Sequence, residues 1–207
     1  MNIEIVNVTF LIVCLIIAIV GHEYMHGKVA NYYGDDTAKN LGRLSINPIK
    51  HIDPFGTIIV PLLLYFTTGF VFGWAKPVPI NTRTVLENGG LKGAVLVSLA
   101  GIIYNFLIAM IAFVIFKDMG ASLLKLFLLQ LFFINIFLGL FNLYPFPPLD
   151  GSRALAYILA GLGFIKAANF LLSQDKIFMV ILIVVLISPL SKYFFMPIMY
   201  VLNLFLA

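Results

Sequence analysis

The chain has 207 residues, of which 62% are hydrophobic and 11% charged, and its mean hydropathy is +1.06. Such values exclude an ordinary soluble domain and predict an all-α polytopic membrane protein. The net charge of +4 does not point to nucleic acid, because the Lys and Arg residues lie in short loops between apolar runs, where they set orientation.

The first apolar run covers residues 5–33 and predicts a membrane-spanning helix. It begins without a basic n-region, and its uninterrupted apolar part is followed by HEYMH and Gly27 rather than by a small-residue cleavage site, so the helix is expected to be retained rather than removed as a signal peptide. Cys14 lies inside this run without a second cysteine, which rules out a disulfide framework. The run also contains His22-Glu23-Tyr24-Met25-His26. Ionisable groups at membrane depth are costly and mark function. Spaced four residues apart on a helix, His22 and His26 share one face and can grip one Zn²⁺ as neutral imidazoles, with Glu23 beside the metal to take a proton from water.

Residues 34–54 turn polar and read as a loop, with residues 43–47 as the best strand candidate. Residues 55–74 are apolar but interrupted by Pro61, Gly69 and Gly73, which leaves a re-entrant element or β-hairpin as alternatives to a crossing. Residues 93–116 and 123–143 predict two further spans, and residues 177–206 a fourth, which Pro189 and Pro197 make either one kinked helix or two pieces. A shorter interfacial helix is expected at residues 152–165. The whole reads as a single membrane domain, with a core at about residues 5–165 and a C-terminal helical segment at about 177–206.

Charge decides among the topologies. Lys28, Lys39, Arg43 and Lys50 precede residues 55–74, and Lys76, Arg83 and Lys92 follow them, so both flanks carry the cytoplasmic bias. This favours an extracytoplasmic N-terminus, a re-entrant element at 55–74, and two crossings that return to the cytosolic face. The chain is then a multi-pass protein of the cell membrane, with its site opening toward the cytosol.

A catalytic zinc usually has three protein ligands. Outside the first helix the best candidate for the third is Asp150, in the proline-interrupted sequence Asn142-Leu143-Tyr144-Pro145-Phe146-Pro147-Pro148-Leu149-Asp150-Gly151. Either its carboxylate turns back into a cavity, or Asp150 serves as the N-cap of the helix that follows. The re-entrant topology brings Asp150 to the same face as His26, whereas a full crossing at 55–74 would not.

With these motifs in view, the chain resembles the site-2 protease family of intramembrane zinc metalloproteases, in its short bacterial or archaeal form. HEYMH matches that family's HExxH, and residues 142–151 match its NLxPxxxxDG, whose Asp is a zinc ligand. Residues 42–48, 51–56 and 74–81 are also similar to a compact subgroup, while Ile102 stands where the family usually has proline. The resemblance implies one Zn²⁺ on His22, His26 and Asp150, with Glu23 as general base. It also implies a place near the metal for Asn105, to bind substrate backbone or stabilise an oxyanion.

The residues alone leave Asn105 equally as interhelical glue, and Asn142 as a holder of the Asp150 loop, a substrate contact or a helix-end cap. Gln130 and Asn135 read as packing residues, and His51 as a turn histidine. Expected partners are membrane-protein substrates with a transmembrane segment and the lipid bilayer. An extended substrate segment pairing with the edge of residues 55–81 would expose its scissile bond. The rival reading is a zinc- or proton-coupled transporter that uses the same intramembrane cluster.

Overall fold

The structure is a computed structural model that describes residues 3–68 and 73–205. Its helices are α1 (Ile3–Tyr32), α2 (Thr37–Asn40), α3 (Val60–Thr68), α4 (Thr82–Phe116), α5 (Leu123–Leu143), α6 (Asp150–Gly161), α7 (Ile165–Ser173), α8 (Asp175–Ile187) and α9 (Ser191–Leu204). No strand occurs among the described residues, so the candidate at 43–47 is irregular backbone with bends at Leu44 and Ile46. Helices α1, α4 and α5 are each long and apolar enough to cross a bilayer. The fold is that of an all-α polytopic membrane protein.

Local chemistry sets the helix ends. The Asn81 side chain accepts from Thr84 N at the start of α4, and Ser122 Oγ accepts from Lys125 N at the start of α5. Gly90, with φ of 59°, breaks α4 after its first turns and separates an exposed entry arm from the span. Between α1 and α4 the contacts Tyr104–Ile17, His26–Val97 and Asn88–Tyr33 fix an antiparallel pair. Buried Ala30 of α1 clusters with Ala94 and Val97 of α4, and Gly101 of α4 faces His22 and His26 of α1, small residues that let membrane helices approach closely.

The apolar stretch at 55–74 does not cross. It opens with a π-helical turn (Pro54–Ile59), capped by Asp53 Oδ1 accepting from Phe55 N and Gly56 N, and runs on into α3. Residues 69–72 lie outside the described residues. At its far end Trp74 N donates to Gly56 O at 3.0 Å, and Thr57 Oγ1 donates to Trp74 O at 3.0 Å. The end of the stretch is therefore bonded to its beginning. A segment whose two ends meet enters and leaves on one side, and α3, nine residues or about 14 Å long at ~1.5 Å per residue, is half a bilayer deep. The excursion is helical in its described part rather than a hairpin.

The predicted fourth span is two helices. Residues 188–190, with Pro189 at their centre, interrupt it between α8 and α9, and α7 and α8 meet at a bend of 67°. With 13 and 14 residues, α8 and α9 each reach about 20 Å, short of the ~30 Å hydrocarbon layer. They are anchored instead through Leu182, Leu186, Ile198 and Leu202, buried in one cluster with Phe116 of α4 and Phe132 of α5.

Candidate active site

Helix α1 presents His22 and His26 one turn apart, both buried, with their Nε2 atoms 3.0 Å from each other. The prolines at 145, 147 and 148 end α5 and turn the chain so that α6 begins beneath this pair. Its N-cap is Leu149, whereas Asp150 is the first helical residue and its carboxylate is not used as a cap. Asp150 Oδ2 lies 2.9 Å from His22 Nε2 and 3.2 Å from His26 Nε2.

Hydrogen bonds behind the rings decide which nitrogens face this point. His26 Nδ1 lies 2.6 Å from Val97 O, and a carbonyl can only accept, so Nδ1 carries the proton and Nε2 the lone pair. His22 Nδ1 lies 2.7 Å from Asn105 Oδ1. That orientation of Asn105 is fixed in turn, because its Nδ2 donates to Ala18 O at 3.2 Å and to Asn135 Oδ1 at 2.9 Å. Asn135 is fixed by donation of its own Nδ2 to Leu131 O at 2.8 Å. The chain from Leu131 through Asn135 and Asn105 to His22 therefore sets one tautomer, with both histidines offering Nε2 lone pairs forward.

Three acceptors thus converge with no donor among them, an arrangement that repels unless a cation lies between them. The donor chemistry, two imidazole nitrogens and one carboxylate oxygen, suits Zn²⁺. Ligands about 2.0–2.1 Å from a tetrahedral zinc are roughly 3.3 Å from one another. The observed edges of 2.9, 3.0 and 3.2 Å are close to that. Room for the rings comes from Gly101 of α4, where a Cβ would lie 2.5 Å from both His22 Cδ2 and His26 Nε2.

Glu23 stands on the same turn, partly exposed, with Oε2 accepting from Val78 N at 2.8 Å and Oε1 without a hydrogen-bond partner among the described residues. Asn105 is fully buried and spends its amide on His22, Ala18 and Asn135. Asn142 donates back to Leu138 O at 3.0 Å within its own helix and makes no described hydrogen bond to His22, Glu23, His26 or Asp150. His51 is buried, with Nε2 2.7 Å from Ser45 O, and belongs to the loop. The sequence suggested only a packing role for Asn135 and nothing for the Val97 carbonyl. Asn135 left a trace, as a second mid-span amide on the helix after that of Asn105. Val97 left none, because its contribution is backbone.

No family model matches the chain, and no solved structure does. Two proteins whose names read "Putative zinc metalloprotease" are similar to it. YwhC of Bacillus subtilis is 38% identical over 199 residues, which cover 91% of this chain and 84% of YwhC. Rip2 of Mycolicibacterium smegmatis is 27% identical over 179 residues, which cover 84% of this chain and 65% of the longer Rip2. By its identity to YwhC over most of both chains, this protein belongs to that family of zinc metalloproteases.

Proposed function

We propose that the protein is an intramembrane endopeptidase of the site-2 protease type, which hydrolyses peptide bonds in or near the transmembrane segments of membrane-protein substrates. The observation that carries this reading is the His22, His26 and Asp150 triangle, two of whose corners stand on α1, a helix long and apolar enough to cross a bilayer. At ~1.5 Å per residue, His26 and His22 lie about 9 and 15 Å inside the C-terminal end of α1, so the two histidines belong to a membrane helix rather than to an extramembrane domain. The cationic residues of the loops at this end, from Lys28 to Lys92, favour a site that opens toward the cytosol in a cell-membrane protein.

In this reading His22, His26 and Asp150 hold one zinc, which when bound supplies the Lewis acidity that polarises a scissile carbonyl and activates water. Glu23 takes the proton of the attacking water and returns it to the leaving amine. Asn105, Asn135 and the Val97 carbonyl keep the two imidazoles aimed, so Asn105 acts through His22 rather than on substrate. Asn142 sits at the end of α5, where the chain turns toward Asp150.

A membrane-spanning substrate must unwind before its carbonyl can be attacked. The extended residues 74–81 beside Glu23 offer a place for an opened peptide. Pro77 and Pro79 have no N–H, so such a peptide would donate to this edge more than it receives.

The test is Glu23→Gln in protein reconstituted in vesicles with a single-span reporter peptide bearing a fluorophore and quencher across the cytosolic end of its span. Cleavage should fall by at least about 100-fold with zinc content unchanged. Cleavage at the wild-type rate by the Gln variant would remove the proposed mechanism.

A further inference from the structure

Glu23 does not stand alone. Residues 74–81 run extended over the site, and alternate backbone N–H groups along them turn inward: Trp74 N to Gly56 O at 3.0 Å, Lys76 N to His51 O at 2.9 Å, and Val78 N to Glu23 Oε2 at 2.8 Å. The triplet Pro77-Val78-Pro79 has a single N–H, and that donor is directed at Glu23. The flanking prolines fix their own φ and restrict their neighbours to extended backbone, so the donor is held on a stiff segment. The Val78 side chain is buried and seated where Gly27, the residue after His26, has no side chain; a Cβ there would lie 2.8 Å from Val78 Cγ1.

Both ends of this segment are tied by side chains from the loop after α1. Arg43 Nη2 donates to Lys76 O at 3.0 Å and to Pro77 O at 3.2 Å. At the other end Asp35, buried, accepts from Asn81 N at 2.6 Å through Oδ2 while its Oδ1 accepts from Thr37 N at 2.9 Å. Neither residue touches the His22, His26 and Asp150 triangle in the described hydrogen bonds. Each acts on the backbone that reaches Glu23.

We infer that residues 74–81 are a positioning arm for Glu23, and that Arg43 and Asp35 are positioning residues that set the reach of the Val78 N–H and so the aim of the Glu23 carboxylate. The inference rests on the reading of Glu23 as general base. Holding Oε2 leaves Oε1 to accept a proton and removes rotamer freedom that an untethered glutamate would have. A misplacement of about 1 Å at a catalytic group can cost roughly 100-fold in rate. Loss of one of several tethers should therefore cost about 10-fold.

The experiment measures kcat, KM and zinc content for Arg43→Ala, Arg43→Lys, Asp35→Asn and Val78→Pro, with the vesicle reporter described above. Val78→Pro deletes the donor itself while keeping an extended backbone. Arg83→Ala, an exposed residue paired with Glu87 on the same end of the molecule, is the charge control and should leave the rates unchanged. Arg43→Ala, Asp35→Asn and Val78→Pro should each lower kcat about 10-fold with KM and zinc content within twofold of wild type. Lys at position 43 should restore part of the loss, and Arg43→Ala should add little on top of Val78→Pro.

Unchanged kcat in Arg43→Ala and Val78→Pro, in a protein that Glu23→Gln inactivates, overturns the inference and leaves the general-base reading standing. Losses that fall on KM alone, or that appear only together with loss of zinc, also overturn it, by making the arm a substrate contact without a hold on Glu23 or a purely structural brace. Full activity in Glu23→Gln instead overturns the general-base reading, whatever Arg43 does.

Discussion

Gly101→Ala is the sharpest probe of the triangle, because a single methyl group is aimed at both imidazoles. Its Cβ would lie 2.5 Å from His22 Cδ2 and from His26 Nε2, and 2.6 Å from His22 Cε1. Non-bonded heavy atoms prefer about 3.5–4.0 Å, so the overlap is about 1 Å with each ring. Neither ring can swing aside freely, since His22 Nδ1 is bonded to Asn105 and His26 Nδ1 to Val97 O. Metal ligands tolerate roughly 0.2 Å of displacement, several times less than the shift required.

Zinc affinity should therefore fall at least about 100-fold, which corresponds to roughly 2.7 kcal/mol. Gly93→Ala on the same helix pair is the matched control, because its Cβ would meet the Tyr33 ring at 3.4 Å, near ordinary contact. Its affinity should stay within about threefold of wild type. The assay is competition with a chelator of known zinc affinity on detergent-purified protein, with metal content by mass spectrometry and helicity by circular dichroism. A Gly101→Ala protein that binds zinc as tightly as wild type would refute the geometry.

Three other variants test the surroundings. Asn105→Leu keeps the volume but leaves the His22 Nδ1–H and the Asn135 carbonyl oxygen unpaired, and should weaken zinc about 10–100-fold in the same competition assay. It should also lower stability by about 1–3 kcal/mol per orphaned group, read as a fall in the thermal transition. Asp150→Ala should abolish stoichiometric zinc, whereas an Asp150 acting only as a helix cap would leave metal content intact and change stability alone. Arg153→Ala breaks the pair with Asp175 that ties α6 to α8. With side chains 47% and 35% exposed, that pair should contribute only about 0.2–1 kcal/mol, so zinc content should not change.

Much of the scaffold was legible in the sequence because its causes are local. The span at 123–143 coincides with α5, since Ser122 caps its start and the proline run beyond Tyr144 ends it. Charge on both flanks of residues 55–74 argued for a re-entrant element, and the bond from Trp74 back to Gly56 is its structural counterpart. The C-terminal stretch was less legible, because apolar composition measures affinity for the membrane rather than continuity of a helix. The break at 188–190 was foreshadowed only by Pro189.

By itself the sequence determined what depends on short spacing: the apolar spans, the helical register that sets His22 and His26 on one face, and the candidacy of Asp150 through its interrupted helix. Tertiary structure alone decided which groups serve those residues. The partners are far away along the chain: Asn105 is 83 residues from His22, Val97 is 71 from His26, Val78 is 55 from Glu23, and Asp150 is 128 from His22. Two of these partners act through backbone atoms, which every residue type carries, so no pattern of side chains could have announced them. Helix periodicity fixes the face a residue occupies; only packing fixes what stands opposite it.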